Sequence, residues 1–275
     1  MGVMNFYKWF FLEEGRTPEG MFSFWHIFSV TITLAVFLGL AIFLAKRFKG
    51  NEKGKTWTLI GAGIAIVAVQ LAKRIWLMIE TDNPLDCYIG NLPLYLCDMQ
   101  IFIIPIAALT KGRVRDICLD FIAIWGLLMG FMGTYFAGNI YPNHSIISFL
   151  AINSLLNHAI SAFAAMFIFA AGMNKMEKRN IPFTVGILLA FMTAALIVDY
   201  ASGPNYRNFM FFFDGGGTPF GLFLQLAGGI KWIYQIEIYI LQVGYMMGFY
   251  GVYYAILKAY RKKHPVLATA TSDSN

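Results

Sequence analysis

The chain has 275 residues, of which 58% are hydrophobic and 13% charged, and its formal net charge is +6. Soluble domains carry roughly one charged residue in four, so a charged fraction this low leaves too little polar surface for a water-facing globule and excludes a soluble protein. The basic residues lie in short tracts between apolar runs rather than on one module, which argues against nucleic acid as a partner.

A hydrocarbon layer about 30 Å thick requires about 20 helical residues per crossing, because lipid offers no partner to an unpaired backbone group. The pattern predicts an all-α polytopic membrane protein with seven transmembrane helices in one domain over residues 1–263, followed by a polar disordered tail at 264–275. The first span, near 22–45, is too long for a signal-peptide core and is followed, not preceded, by Lys46 and Arg47, so it is expected to be retained. The second lies near 57–79. The third, near 92–110, opens at Pro93 and can kink at Pro105. The fourth, near 116–137, carries Gly126, Gly130 and Gly133 on spacing that lets a neighbouring helix approach closely. Spans five and six are expected near 146–172 and 181–200. Residues 201–229 are too long and Gly/Pro-rich for a turn yet too apolar at 209–213 and 220–226 to float in water. They predict an interfacial or re-entrant hairpin bending at Gly215, Gly216 and Gly217. The seventh span is expected near 230–257.

Orientation follows from the retention of Lys and Arg on the cytoplasmic side. One set of loops holds Lys46, Arg47, Lys49, Lys53 and Lys55, then Lys111, Arg113 and Arg115, then Lys175, Lys178 and Arg179, and finally Lys258, Arg261, Lys262 and Lys263; the other holds Lys8, Arg16 and Arg207. The N-terminus is therefore expected outside and the C-terminus in the cytoplasm.

An ionisable group inside a span is costly unless paired or wetted, which makes each a functional candidate. Lys73, Arg74, Cys97, Asp98, Asn153, Asn157, His158, Asp199, Lys231, Gln235, Glu237 and Gln242 fall toward the outer side, nearly all within roughly 15 Å of the interface at 1.5 Å per residue. Each has a structural alternative. Lys73 and Arg74 either snorkel or pair with Asp82 or Asp86. Lys231 and Glu237 either bind a ligand or join helices, and Asp120 is expected to pair with a loop Arg or Lys. His158 is either an interhelical hydrogen-bonding group or a general base, and without a second His at ligand spacing it does not suggest a metal. Cys97 is either inert packing or a nucleophile. Nearby Lys73 and Arg74, the start of a helix, and His158 as proton acceptor are what the second reading rests on, and both readings stay open. The remaining cysteines, Cys87 and Cys118, lie away from this group, and the odd number of three gives neither a disulfide framework nor a metal site. No cofactor signature is present, and the last span lacks the mid-helix lysine that a retinal protein requires.

The stretch Asn91-Leu-Pro-Leu-Tyr-Leu-Cys-Asp98, the Asn157-His158 pair and Gly203-Pro-Asn-Tyr206 together resemble the YwaF-like family of bacterial integral membrane proteins over essentially the whole transmembrane core. That family is distantly similar to a eukaryotic transmembrane acyltransferase that remodels ether phospholipids. The resemblance implies a bacterial plasma membrane location, membrane lipids as partners, and acyl transfer or hydrolysis on glycerophospholipids through a covalent acyl-enzyme. His158 would be the general acid/base and Cys97 the candidate nucleophile. The substrate would be held by Lys73, Arg74, Tyr95, Asp98, Asn157, Asn205, Tyr206, Arg207 and Glu237. Tyr95 stands where the family often has His, and the reactive cysteine of the eukaryotic relatives registers nearer Leu94, so both roles for Cys97 stay open. The alternative function is a small-solute transporter or binding protein with an outward-facing polar site.

Overall fold

A computed structural model describes residues 3–83, 88–203, 207–215 and 218–263. The described residues are helical and contain no strand. The helices are α1 (Val3–Phe10), α2 (Phe24–Arg47), α3 (Glu52–Ile79), α4 (Gln100–Leu109), α5 (Gly112–Tyr135), α6 (Phe149–Ala170), α7 (Ile181–Ala201), α8 (Gly221–Leu226) and α9 (Lys231–Lys263), with single 3₁₀ turns at Lys178–Asn180 and Phe209–Phe211. Six of the described helices are long and apolar enough to cross a membrane: α2, α3, α5, α6, α7 with its leading 3₁₀ turn, and α9.

The helix starts are set by short polar side chains that take up otherwise unpaired N–H groups. Ser23 Oγ accepts from His26 N at 3.2 Å, Asn51 Oδ1 from Gly54 N at 2.9 Å, and Ser148 Oγ from Ala151 N at 3.3 Å. Pro182 sits in the first turn of α7, where a missing N–H costs nothing.

The expected third span is helical only in its second half. Only residues 100–109 are helical, and 91–99 form a series of turns. Pro93 supplies no N–H, and the backbone and side chains of this stretch are claimed by α3 instead of by a helix of their own. Arg74 Nε donates to the Asn91 carbonyl at 3.0 Å, and Gln70 Nε2 donates to Asp98 Oδ1 at 2.8 Å. The segment runs antiparallel to α3 along its length, with Asn91 beside Arg74, Asp98 beside Gln70 and Pro105 against Gly63.

At the centre are α5 and α6, the only candidate spans more than half buried, at 67% and 72%. They are pressed together by the glycine stripe anticipated in the sequence. A Cβ on Gly126 would lie 2.6 Å from the Ser161 carbonyl oxygen, and one on Gly130 would lie 2.5 Å from Ala162 Cβ. The place of a Cβ on Gly133 is taken by the His158 ring. Around this pair, α2 packs on α6, α3 on α4 and α6, and α4 on α5, while α7, α8 and α9 lie to one side.

At the opposite end of α5, Asp120 does not form the expected ion pair with a loop cation. Its Oδ1 accepts from Met176 N at 2.9 Å and its Oδ2 from Asn180 Nδ2 at 3.0 Å, so the carboxylate is satisfied by the chain entering α7. Lys175 pairs with Asp116 instead, at 2.9 Å, and that partner holds its ammonium pKa above the ordinary lysine value.

The long segment after α7 folds back on the bundle. Phe209, Met210 and Phe212 are buried, and Asp199 Oδ1 accepts from Phe209 N at 3.1 Å. Asn208, Met210 and Phe211 adopt left-handed φ values of 55°, 55° and 62°. That conformation costs of order 1 kcal/mol or more per non-glycine residue, and burial of the aromatic rings offsets it. Gly215 packs directly against the backbone of Phe220 and Gly221 with no room for a side chain. Gly216 and Gly217, the rest of the expected bend, lie outside the described residues, as do Cys87, Asp86 and the tail at 264–275.

Gly130→Leu is expected to lower thermal stability in detergent by about 1–3 kcal/mol or more, because nothing at Ala162 can yield without separating α5 from α6. Gly186→Ala in α7, where a Cβ meets nothing within 4 Å, serves as the neutral control in the same melting assay.

Candidate functional site

A cavity of about 440 Å³ opens between the turns at 95–98, the C-terminal halves of α3 and α5, the N-terminal half of α6, the folded-back segment after α7, and α9. Its lining is mainly apolar, with polar groups gathered around His158. Of the residues selected from the sequence, Cys97, His158, Lys73, Tyr95, Asp98 and Asn157 all line it.

The polar framework centres on Asp98, which is 6% exposed. Its Oδ1 accepts from Gln70 Nε2 at 2.8 Å and from Asn157 Nδ2 at 3.4 Å, and Cys97 Sγ lies 3.8 Å away in hydrogen-bonding geometry. Arg74 Nη2 stands 3.7 Å from Asp98 Oδ2, while Arg74 Nη1 donates to Gln70 Oε1 at 2.8 Å and to the Gln70 carbonyl at 3.1 Å. One carboxylate thereby joins α3, the non-helical stretch and α6. A buried charge is tolerated only when paired and hydrogen-bonded in this way.

Arg74 is thus a partly buried partner of Asp98 rather than a snorkelling residue. Lys73 differs: it lines the cavity and makes no hydrogen bond or salt bridge to another described residue. Its cation acts through space on Asp98, Cys97 and His158. His158 is buried, its ring rests on Gly133, and its Nδ1 has no partner among the described residues. Asn153 Oδ1, Asn157 Oδ1 and Gln242 Oε1, all from cavity-lining residues, are buried and unpartnered in the same sense. Buried polar atoms are normally paired, so the cavity is built to receive hydrogen bonds from an occupant or from water.

Tyr95 closes one side. Its hydroxyl donates to the Arg207 carbonyl at 3.3 Å and its ring meets Phe209 and Phe211 at centroid distances of 5.3 and 5.8 Å. Arg207 stands behind Tyr95, against Gly90, and is not part of the lining. Glu237 is likewise outside the lining, with Oε2 buried and unpartnered among the described residues. Lys231 Nζ lies 5.8 Å from the Phe213 ring centroid. Asn205 and Tyr206 fall outside the described residues. Among the described residues no three His, Cys, Asp or Glu side chains cluster as metal ligands would.

Gln70, Trp125 and Tyr245 are site residues that sequence reasoning did not single out. A glutamine one turn before Lys73-Arg74 in an apolar helix was a usable signal for Gln70. The two aromatics carry no comparable mark, because large rings fill helix interfaces throughout the chain.

Residues 21–253 match the TMEM164 family. The chain belongs to that family. The match includes every helix that contributes to the cavity, so the membership and the site concern the same transmembrane core. No curated protein and no solved structure matches the chain. As a TMEM164 family protein with six described helices able to cross a bilayer, it is a multi-pass membrane protein.

Asp98→Ala is expected to cost about 3–5 kcal/mol, since it leaves Arg74 charged and unpaired in a buried setting. Asp98→Ala combined with Arg74→Met removes both charges, and chemical or thermal unfolding in micelles should recover a clear part of the loss. An additive double variant would refute the pairing.

Proposed function

We propose that the chain is a membrane-embedded acyltransferase or acyl hydrolase acting on glycerophospholipids, with Cys97 as nucleophile and His158 as general acid/base. The observation that carries this reading is that a thiol, an imidazole with a free nitrogen and an uncommitted lysine line one largely apolar cavity. The similarity of its motifs to the YwaF-like bacterial family agrees with it.

In the first half-reaction Cys97 Sγ attacks the ester carbonyl of a glycerolipid while His158 accepts the thiol proton. An isolated thiolate in an apolar cavity is expensive, so proton loss accompanies bond formation. The oxyanion of the tetrahedral intermediate falls to Lys73, whose charge has no competing ion pair. Collapse breaks the ester C–O bond, His158 returns the proton to the departing lipid alkoxide, and the acyl group remains on sulfur as a thioester. In the second half, His158 takes a proton from an alcohol or water, whose oxygen attacks the thioester; Cys97 leaves as thiolate and recovers the proton. The balance requires no cofactor. Tyr95, Asp98 and Asn157 shape and orient the pair. Arg74 acts through Asp98, Arg207 and Glu237 are assigned to headgroup contact beyond the cavity, and Asn205 and Tyr206 are assigned to headgroup contact.

The same reading places residues 1–263 in one transmembrane domain of a bacterial plasma membrane, with the N-terminus outside and the C-terminus in the cytoplasm. Segment 91–109 would be a seventh, broken crossing. Its antiparallel run along α3 supports this, because irregular backbone is tolerated at membrane depth where it is buried in protein. The second reading, one-sided binding of a small polar solute, is favoured by the unpartnered oxygens of Asn153, Asn157 and Gln242.

Intact-mass measurement of the purified wild type after incubation with mixed phospholipids should show an acyl increment that hydroxylamine removes and Cys97→Ser lacks. His158→Ala should lower turnover by about 10²-fold or more with the protein still folded. Unlabelled Cys97 with unchanged lipids, together with saturable binding of a polar solute, would replace the enzyme by a binding protein.

A further inference from the structure

The cavity has two chemically different ends, and the stripe of α5 that lines it shows how they are separated. Trp125, Leu128, Met129, Met132, Gly133 and Phe136 follow one another at helical spacing over roughly 16 Å. His158 rests on Gly133, toward one end of this stripe. Two helical turns away, at Trp125, the lining from α5 and α9 is formed by Trp125, Leu128, Leu241, Gln242 and Tyr245, with Gln242 the one polar side chain among them.

That end is closed. The Trp125 and Tyr245 rings lie 5.0 Å apart, and the Tyr245 hydroxyl donates to the Ile124 carbonyl at 3.3 Å, fixing α9 against α5 at this level. Trp125 is 1% exposed and backed by Phe121 at 6.4 Å, so the indole has no space into which to swing. Protein interiors yield little to an added methylene, and a void opposite a short chain forfeits contacts outright.

We propose that Trp125 and Tyr245 form the floor of an acyl-chain ruler: the chain's methyl end stops at this pair while its carbonyl lies beside Cys97 and His158. This rests on the reading of the cavity as an acyl site and adds the residues that set chain length. A chain too long for the floor cannot bring its ester to the thiol. A shorter one leaves space above the floor and forfeits packing contacts there.

The full chain in lipid nanodiscs is equilibrated with an equimolar series of phosphatidylcholines differing only in saturated chain length, and the retained lipids are read by native mass spectrometry. Trp125→Ala is expected to raise the ratio of long to short chains severalfold, because the lowered floor admits about one or two further methylenes. Leu128→Trp, which narrows the cavity above the floor, should shift the profile the opposite way. Trp125→Phe loses no hydrogen bond, because Nε1 has no partner among the described residues, and should give a smaller shift toward long chains in a variant that folds readily. Profiles that match wild type in Trp125→Phe and in whichever larger variants fold would overturn the ruler, as would a wild type that retains every chain length equally. Shifted profiles without any acyl adduct on Cys97 would leave the ruler standing and remove the covalent mechanism instead.

Discussion

The carboxylate of Asp98 is the point on which this architecture depends. It is almost fully buried in a bundle whose surroundings are apolar, and it persists because Gln70, Asn157 and Arg74 converge on it from two different helices. The arrangement compensates for a stretch of chain that cannot be helical. Between Asn91 and Asp98 the backbone makes turns, and Arg74 supplies a partner to a carbonyl that a helix would otherwise have engaged. The exchange of regular for side-chain hydrogen bonds leaves Tyr95, Cys97 and Asp98 on a non-helical surface, free to line a cavity together.

The second constraint is steric. The glycine stripe on α5 does more than bring α6 close: its last member makes the space in which the His158 imidazole lies. Packing and chemistry are coupled at that position, since any side chain there would displace the ring. The same close approach sets the distance over which α5 presents its lining residues, from Phe136 near the mouth to Trp125 at the closed end.

The third wall is formed by a segment that belongs to no long helix. Left-handed residues at 208, 210 and 211 turn the chain so that Phe209 and Phe211 face Tyr95, and Asp199 and Asn208 hold the turn through backbone N–H groups. Strain of this kind persists only where the surroundings over-determine it. Here a carboxylate at the end of α7 and an aromatic cluster do so, and the result is a cover over the polar end of the cavity.

Local sequence was enough to determine that this is an all-helical membrane protein, where its six long helices lie to within a few residues, and that α5 carries a packing face. Hydrophobic length and small-residue spacing act over one or two helical turns and are legible in one dimension. The same holds for the clustering of Lys73, Asp98, Asn157 and His158 at one level of the bundle, because depth along a helix is counted in residues. Only the tertiary structure decided that residues 91–99 are turns, that Asp98 takes Arg74 while Asp120 takes a backbone N–H and an amide, that Glu237 stands outside the cavity, and that Trp125 meets Tyr245. These are outcomes of competition among groups far apart in the chain. A buried polar atom takes whichever partner packing brings within about 3 Å, and which helix face turns inward is set by all of its neighbours at once.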